Sequence, residues 1–236
     1  ALRHGYKVPE RFRFIIKGNY YFNGQQPDKA LALFEMAAEL YPDDIQSYQA
    51  LSQIYTLRND IRKAIGAYEK IIELDPYQYD HLHRIASLCA RIGEYEKALR
   101  HVERYAELNP KDPKSFEEIA QLNEKMGDFD AARTNMDKAL LLDPERVTLL
   151  IGAGNIDRST GDFGVARKHY QDALELSLST VDSMRVLNAL EDYYELRGQF
   201  NKSIELMNRR LDLNPAPMSR YASLLSDLGR YVYAGR

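Results

Sequence analysis

A chain of 236 residues with 44% apolar and 28% charged content is long enough for one or two globular domains or for one repeat array. A formal charge of -3 leaves no basic excess, so nucleic acid is not an expected partner. One cysteine, Cys89, excludes an internal disulfide, and no apolar run reaches the ~20 residues of a membrane span.

Residues 1–9 carry no helical pattern and are read as a tail or linker, made basic by Arg3 and Lys7 and continued by Arg11, Arg13 and Lys17. Pro9 suits a first helical turn. From Glu10 the chain repeats itself. A first helix carries Phe14, Gly18 and Tyr21, a turn runs from Gly24 to Pro27, and a second helix carries Ala30, Phe34 and Ala37 before Pro42 stops it. Shifting the frame by 34 residues restores the same signs: alanine at Ala30, Ala64, Ala98, Ala132 and Ala166, and proline at Pro42, Pro76, Pro110 and Pro144. The most regular copy is Gly93-Glu94-Tyr95-Glu96-Lys97-Ala98-Leu99, running on to Asn109-Pro110.

This pattern of large, small and large residues on a 34-residue helix-turn-helix resembles the tetratricopeptide repeat family. The resemblance implies an all-α fold, a right-handed α-solenoid. The expected array covers residues 10–236: six repeats at about 11–44, 45–78, 79–112, 113–146, 147–180 and 184–217, and a partial seventh at 218–236. The gap marks a break. Leu178 stands where proline is expected, and the phase slips by three residues between Ser179 and Ser183. The sixth copy has Ser203 in place of the alanine. The seventh opens with Tyr221, Leu224, Leu225 and Leu228, then Gly229, Tyr231 and Ala234, and the sequence ends at Arg236 inside the next expected helix.

One unit cannot bury its apolar face alone, so neighbours stack into a shared core. Alanines mark close helix approach, and glycines such as Gly93, Gly127, Gly161 and Gly198 stand where a helix ends in a left-handed residue. These residues are scaffold. Function is sought on the first helix of each unit, which in the resembled family lines a concave, peptide-binding face. By helical phase this face includes Phe12, Ile15, Ile16, Asn19 and Phe22, then Gln49 and Gln53, then His83, Arg84, Ser87 and Arg91. Further along come Gln121, then Asn155 and Arg158, then Asn188. The amides can pair with the backbone of an extended peptide, and the arginines can fork to a carboxylate. The expected partner is therefore a protein or peptide, bound non-catalytically.

One variant of the resembled family clamps the C terminus of heat-shock proteins with Lys and Asn, then Asn, then Lys and Arg in three successive units. The same frame here gives Ile15 and Asn19, Ala50, and Asp80 and Arg84, so that ligand is not expected. Residues Pro9 to Phe12, Tyr20 to Phe22, Asp28 to Ala30 and Leu40 to Asp44 resemble the opening of repeat regions attached to bacterial kinases, cyclases and DNA-binding regulators. With the unpatterned start and the interrupted seventh copy, this gives the expectation of a regulatory module of a larger signalling protein. Self-association through the apolar N-terminal end or the interrupted C-terminal end is the alternative, and an enzyme the remote one.

No catalytic, metal or cofactor site is expected. His81 and His83, at i and i+2 on a helix, point in different directions. His101 and His169 read as isolated. Cys89 falls on the core stripe as an inert thiol. Gly152-Ala153-Gly154-Asn155 lacks the strand and lysine of a phosphate loop. Glu117-Glu118 and Glu191-Asp192 read as carboxylates on exposed helix faces.

Overall fold

The computed structural model describes residues 8–213. Among these are twelve α-helices and no strand: α1 Glu10–Asn23, α2 Pro27–Leu40, α3 Ile45–Leu57, α4 Ile61–Leu74, α5 His81–Arg91, α6 Tyr95–Leu108, α7 Pro113–Met126, α8 Phe129–Leu142, α9 Val147–Thr160, α10 Phe163–Leu176, α11 Thr180–Leu196 and α12 Phe200–Leu213. The fold is an all-α array of helix-turn-helix pairs. The expected tail and seventh copy lie outside the described residues, apart from Val8 and Pro9.

Helix starts follow local chemistry. Pro27 and Pro113 open α2 and α7, where a missing N–H costs nothing. The Asp44 carboxylate accepts from the Ser47 N–H at the start of α3, Asp128 from the Ala131 N–H at α8, and Ser179 from the Asp182 N–H at α11.

Two compact units divide the chain, Ala1–Met126 and Gly127–Arg236. In the first, α1 to α7 pack each against the next. They share one core, built on Ala30, Phe34, Ile54, Ala64, Ile71, Leu82, Ile85, Cys89, Ala98 and Val102. In the second, α8 to α12 pack in the same order, and the first helices α9 and α11 also touch. Its core centres on Ala166, Tyr170, Ala173, Val186 and Leu190.

The turn between paired helices needs one left-handed residue. Gly93, Gly127, Gly161 and Gly198 supply it with φ between +67° and +88°. Two non-glycine residues do the same earlier in the chain, Gln25 at φ 57° and Asn59 at φ 62°. The series 25, 59, 93, 127, 161 keeps the 34-residue period although the residue type changes. Asparagine tolerates this region, while glutamine has no such aptitude. Gln25→Gly is therefore expected to raise the unfolding free energy by about 0.5–1 kcal/mol, read from the urea midpoint. An unchanged or lower midpoint would contradict a strained turn at Gln25.

The slip before the sixth pair has a simple form. Helix α11 has 17 residues where α7 and α9 have 14. The buried stripe Leu149, Leu150, Ala153, Gly154 and Ile156 of α9 reappears 37 positions later in α11 as Val186, Leu187, Leu190, Glu191 and Tyr193. Three added residues are nearly one turn. They extend the start of α11 without rotating its buried face away from the core.

Candidate functional site

Within the first unit, Asn19, Gln53, Ser87 and Gln121 recur at 34-residue spacing, one on each of α1, α3, α5 and α7, and all are exposed. The scaffold stripe occupies the neighbouring positions, so this register is free to carry polar groups. Around α5 the surface is concave. A groove of about 610 Å³ is lined by Thr56 from α3, by Asp80 just before α5, by His83, Arg84, Ser87 and Arg91 from α5, and by Lys114 and Glu118 from α7. A second groove of about 370 Å³ lies between α5 and α7 and shares Ser87, Arg91 and Glu118 with the first. Thus His83, Arg84, Ser87, Arg91 and Gln121 of the sequence reading come together on one surface.

Charge on this surface is uneven. The Glu118 carboxylate is engaged twice, 2.6 Å from His83 Nδ1 and 3.7 Å from Lys114 Nζ. The His83 ring rests against Tyr105 with centroids 3.8 Å apart, and its buried Nε2 has no hydrogen-bond partner. The Arg91 guanidinium donates to the neutral Asn59 side chain at 2.8 Å. Neither Arg84 nor Lys125 forms an ion pair among the described residues. Three cations therefore face solvent without a carboxylate of their own. His81 turns the other way, its ring on Tyr68 at 5.1 Å, and burial lowers its pKa.

The remaining candidates sit differently. Gln49 is half-buried, and its amide donates to Gln78 at 3.0 Å, which ties α3 to the loop between α4 and α5. In the second unit, Asn155 accepts from the Tyr170 hydroxyl at 2.8 Å and braces α9 against α10. Arg158 lies 4.0 Å from Asp192. Asn188 accepts from Arg210 at 3.0 Å, and both line a groove of about 490 Å³ with Val181, Met184 and Arg185. Gln49, Asn155 and Asn188 are thus held by internal bonds, unlike Arg84 or Ser87.

Three expectations need correction. Ile15 is not on a free face; it is 8% exposed and part of the core, while Phe22 packs against that core. The apolar patch at the start of the array reduces to Phe12, because α1 turns Ile15 toward its neighbours. Glu191 is not on an exposed face either. It is 5% exposed, at the register of Gly154, because the three-residue slip carries the buried stripe onto it. Its Oε2 meets Arg210 at 2.9 Å, its Oε1 has no partner, and burial pushes its pKa up to about 7. Nor are His101 and His169 isolated. His101 Nε2 lies 3.8 Å from Glu69, and His169 Nδ1 lies 2.8 Å from Asp157, which also pairs with Arg133 at 2.9 Å. Sequence reasoning missed this triad. Its signal was an aspartate at the register held by Tyr21 and Tyr55 in earlier copies.

Cys89 is buried, and desolvation raises its thiol pKa. Gly152 to Asn155 lie inside α9. Among the described residues no group of three or more His, Cys, Asp or Glu could hold a metal ion, and no helix is long and apolar enough to cross a membrane.

A stack of helix pairs with a fixed left-handed turn, small residues at close approaches and a polar first-helix face defines a helical repeat protein. Three family models described as tetratricopeptide repeat match residues 16–44, 45–78 and 118–179. The chain belongs to the tetratricopeptide repeat family. Similar solved structures agree with this fold. The C-terminal part of a tetratricopeptide repeat protein from Cytophaga hutchinsonii superposes with TM-score 0.68 at 17% identity over 93% of this chain and 90% of that one. MamA from Desulfovibrio magneticus gives TM-score 0.60 at 18% identity, covering 72% and 96%. YrrB, described as having an unusual peptide-binding site, gives 0.59 at 17% identity, covering 73% and 89%. Among curated proteins no sequence match reaches significance.

Proposed function

We propose that the array is a non-catalytic scaffold that binds an acidic, extended peptide segment of a partner protein on the first-helix face of its N-terminal unit. The observation that carries this reading is the set of three exposed cations, Arg84, Arg91 and Lys125, around α5 and α7, none of which forms an ion pair among the described residues although Asp80 and Glu118 line the same grooves. Ser87 and Gln121, exposed between them, offer hydrogen bonds to a peptide backbone. Arginine forks favour carboxylates, and the two-sided groove gives an extended chain a track across successive first helices. On the same reading the array serves as a regulatory module of a larger signalling protein, as the resemblance of its first repeat implies.

The test is fluorescence anisotropy with labelled acidic and basic peptide pools. The acidic pool binds wild type, and the paired change Arg84→Glu with Arg91→Glu weakens it by about a hundredfold, roughly tenfold per reversed charge, with the melting curve intact. Full-strength binding by the double variant would remove the groove from consideration.

A further inference from the structure

We infer that the groove along α5 reads two opposite charges of its ligand: a basic residue at the Asp80 end and an acidic residue at the Arg91 end, on one face of an extended segment. The inference rests on the peptide-binding reading above and adds which charges the peptide carries and how they are spaced. Asp80 lines the groove at one end of α5 and Arg91 at the other, so the groove follows the whole helix.

The charges are sorted by end. Beside the starts of α5 and α7 stand the carboxylates of Asp80, Asp112 and Glu118, with Lys114 among them. At the last turns of the same helices stand Arg91 and Lys125. Asp80 holds the N-cap position, yet its side chain makes no capping bond. Its dihedrals, φ -57° and ψ -23°, are already helical, which takes the carboxylate away from the N–H groups it would otherwise cap. It is exposed and forms no ion pair among the described residues. Between the two ends the charges offset each other. Arg84 and Glu118 share one register on α5 and α7, and Glu118 is already held by His83 and Lys114. Ser87 and Gln121 follow one turn on, neutral and exposed.

The helix macrodipole favours acid at the start and base at the end of any helix. It does not account for this pattern, because α1 and α3 have no basic residue in their last turns. The sorting is confined to the two first helices whose side chains form the groove.

Asp80 and Arg91 are eleven positions apart, about 16 Å of helix rise. An extended segment crossing α5 obliquely spans about 13 Å in four residues, and its first and fifth side chains share one face. The long side chains of Arg91 and of a ligand lysine close the remaining distance. An odd spacing would send the two charges to opposite faces.

The experiment is fluorescence anisotropy at low ionic strength, where exposed pairs are least screened. The labelled peptides carry a central Lys-Ser-Ser-Ser-Asp, in both orders, against forms with Ser for Lys, Asn for Asp, or a fourth serine between the charges. The better order binds wild type about three- to fivefold tighter than the form without lysine, as expected for an exposed pair. The fourth serine removes that gain. Asp80→Asn abolishes the preference for lysine and keeps that for aspartate, and Arg91→Gln does the reverse. Both side chains are exposed, so the melting curves stay unchanged. Equal binding with and without lysine, or a charge preference that survives the matching substitution, overturns the two-charge reading and leaves the groove for acidic peptides standing. Absence of binding by every aspartate peptide overturns both.

Discussion

Gly154→Ala is expected to destabilise the second unit by about 1–3 kcal/mol, although alanine is the better helix former. A Cβ at that position would lie 2.5 Å from Cε1 of the Tyr170 ring, closer than any relaxed contact. Tyr170 cannot easily retreat. It is fully buried in the core, and its hydroxyl is bound to Asn155 at 2.8 Å. The helix-propensity gain of up to ~1 kcal/mol is smaller than the steric cost. Tyr170→Met should cost about 2–4 kcal/mol alone, through lost volume and the lost hydrogen bond to Asn155. The pair Gly154→Ala with Tyr170→Met gives the added methyl the space the ring leaves, and should recover part of the sum. Urea titration of the four proteins closes the cycle. Strict additivity would show that the two positions do not compete for the same space, and the size-matching account of the repeat would fall with it.

That cycle also marks what was legible beforehand. Alanine every 34 residues and the closing prolines sufficed for the helix pairs, because backbone geometry and close approach leave few residue choices there. Even the left-handed turn at Gln25 and Asn59 follows from the period, against the residue type. Partners across repeats were harder. His83 finds Glu118 35 residues away, and Asp157 finds Arg133 and His169 on the helices either side of α9. Such pairs depend on side-chain reach between stacked helices, which periodicity alone does not give. The polar candidates divided for the same reason: Arg84 and Ser87 stayed free, whereas Gln49 and Asn155 were drawn into bonds with their neighbours.

Glu191→Gln is expected to leave stability unchanged at about pH 3.5 and to raise it by roughly 2–3 kcal/mol at about pH 8. Glu191 occupies the register where Gly18, Ser52, Ala86, Ala120 and Gly154 stand, so its carboxyl is taken from water against the side of α12. Burial raises its pKa to about 7, Arg210 opposes that rise, and Glu195 and Asp192 reinforce it. A folded-state pKa above the unfolded one means the native state holds the proton longer. Stability from this group is therefore complete below the ordinary carboxylate range and is lost as pH climbs to about 7. The wild-type curve alone does not isolate the effect. Burial lowers the pKa of His81 and His101, and these two move stability upward with pH over an overlapping window. The difference between wild type and Glu191→Gln removes their contribution. It should be flat below about pH 4, grow between about pH 4 and pH 7, and level off above. A constant difference across that window would mean that Glu191 is ionised throughout, with the Arg210 pair at 2.9 Å strong enough to outweigh its burial.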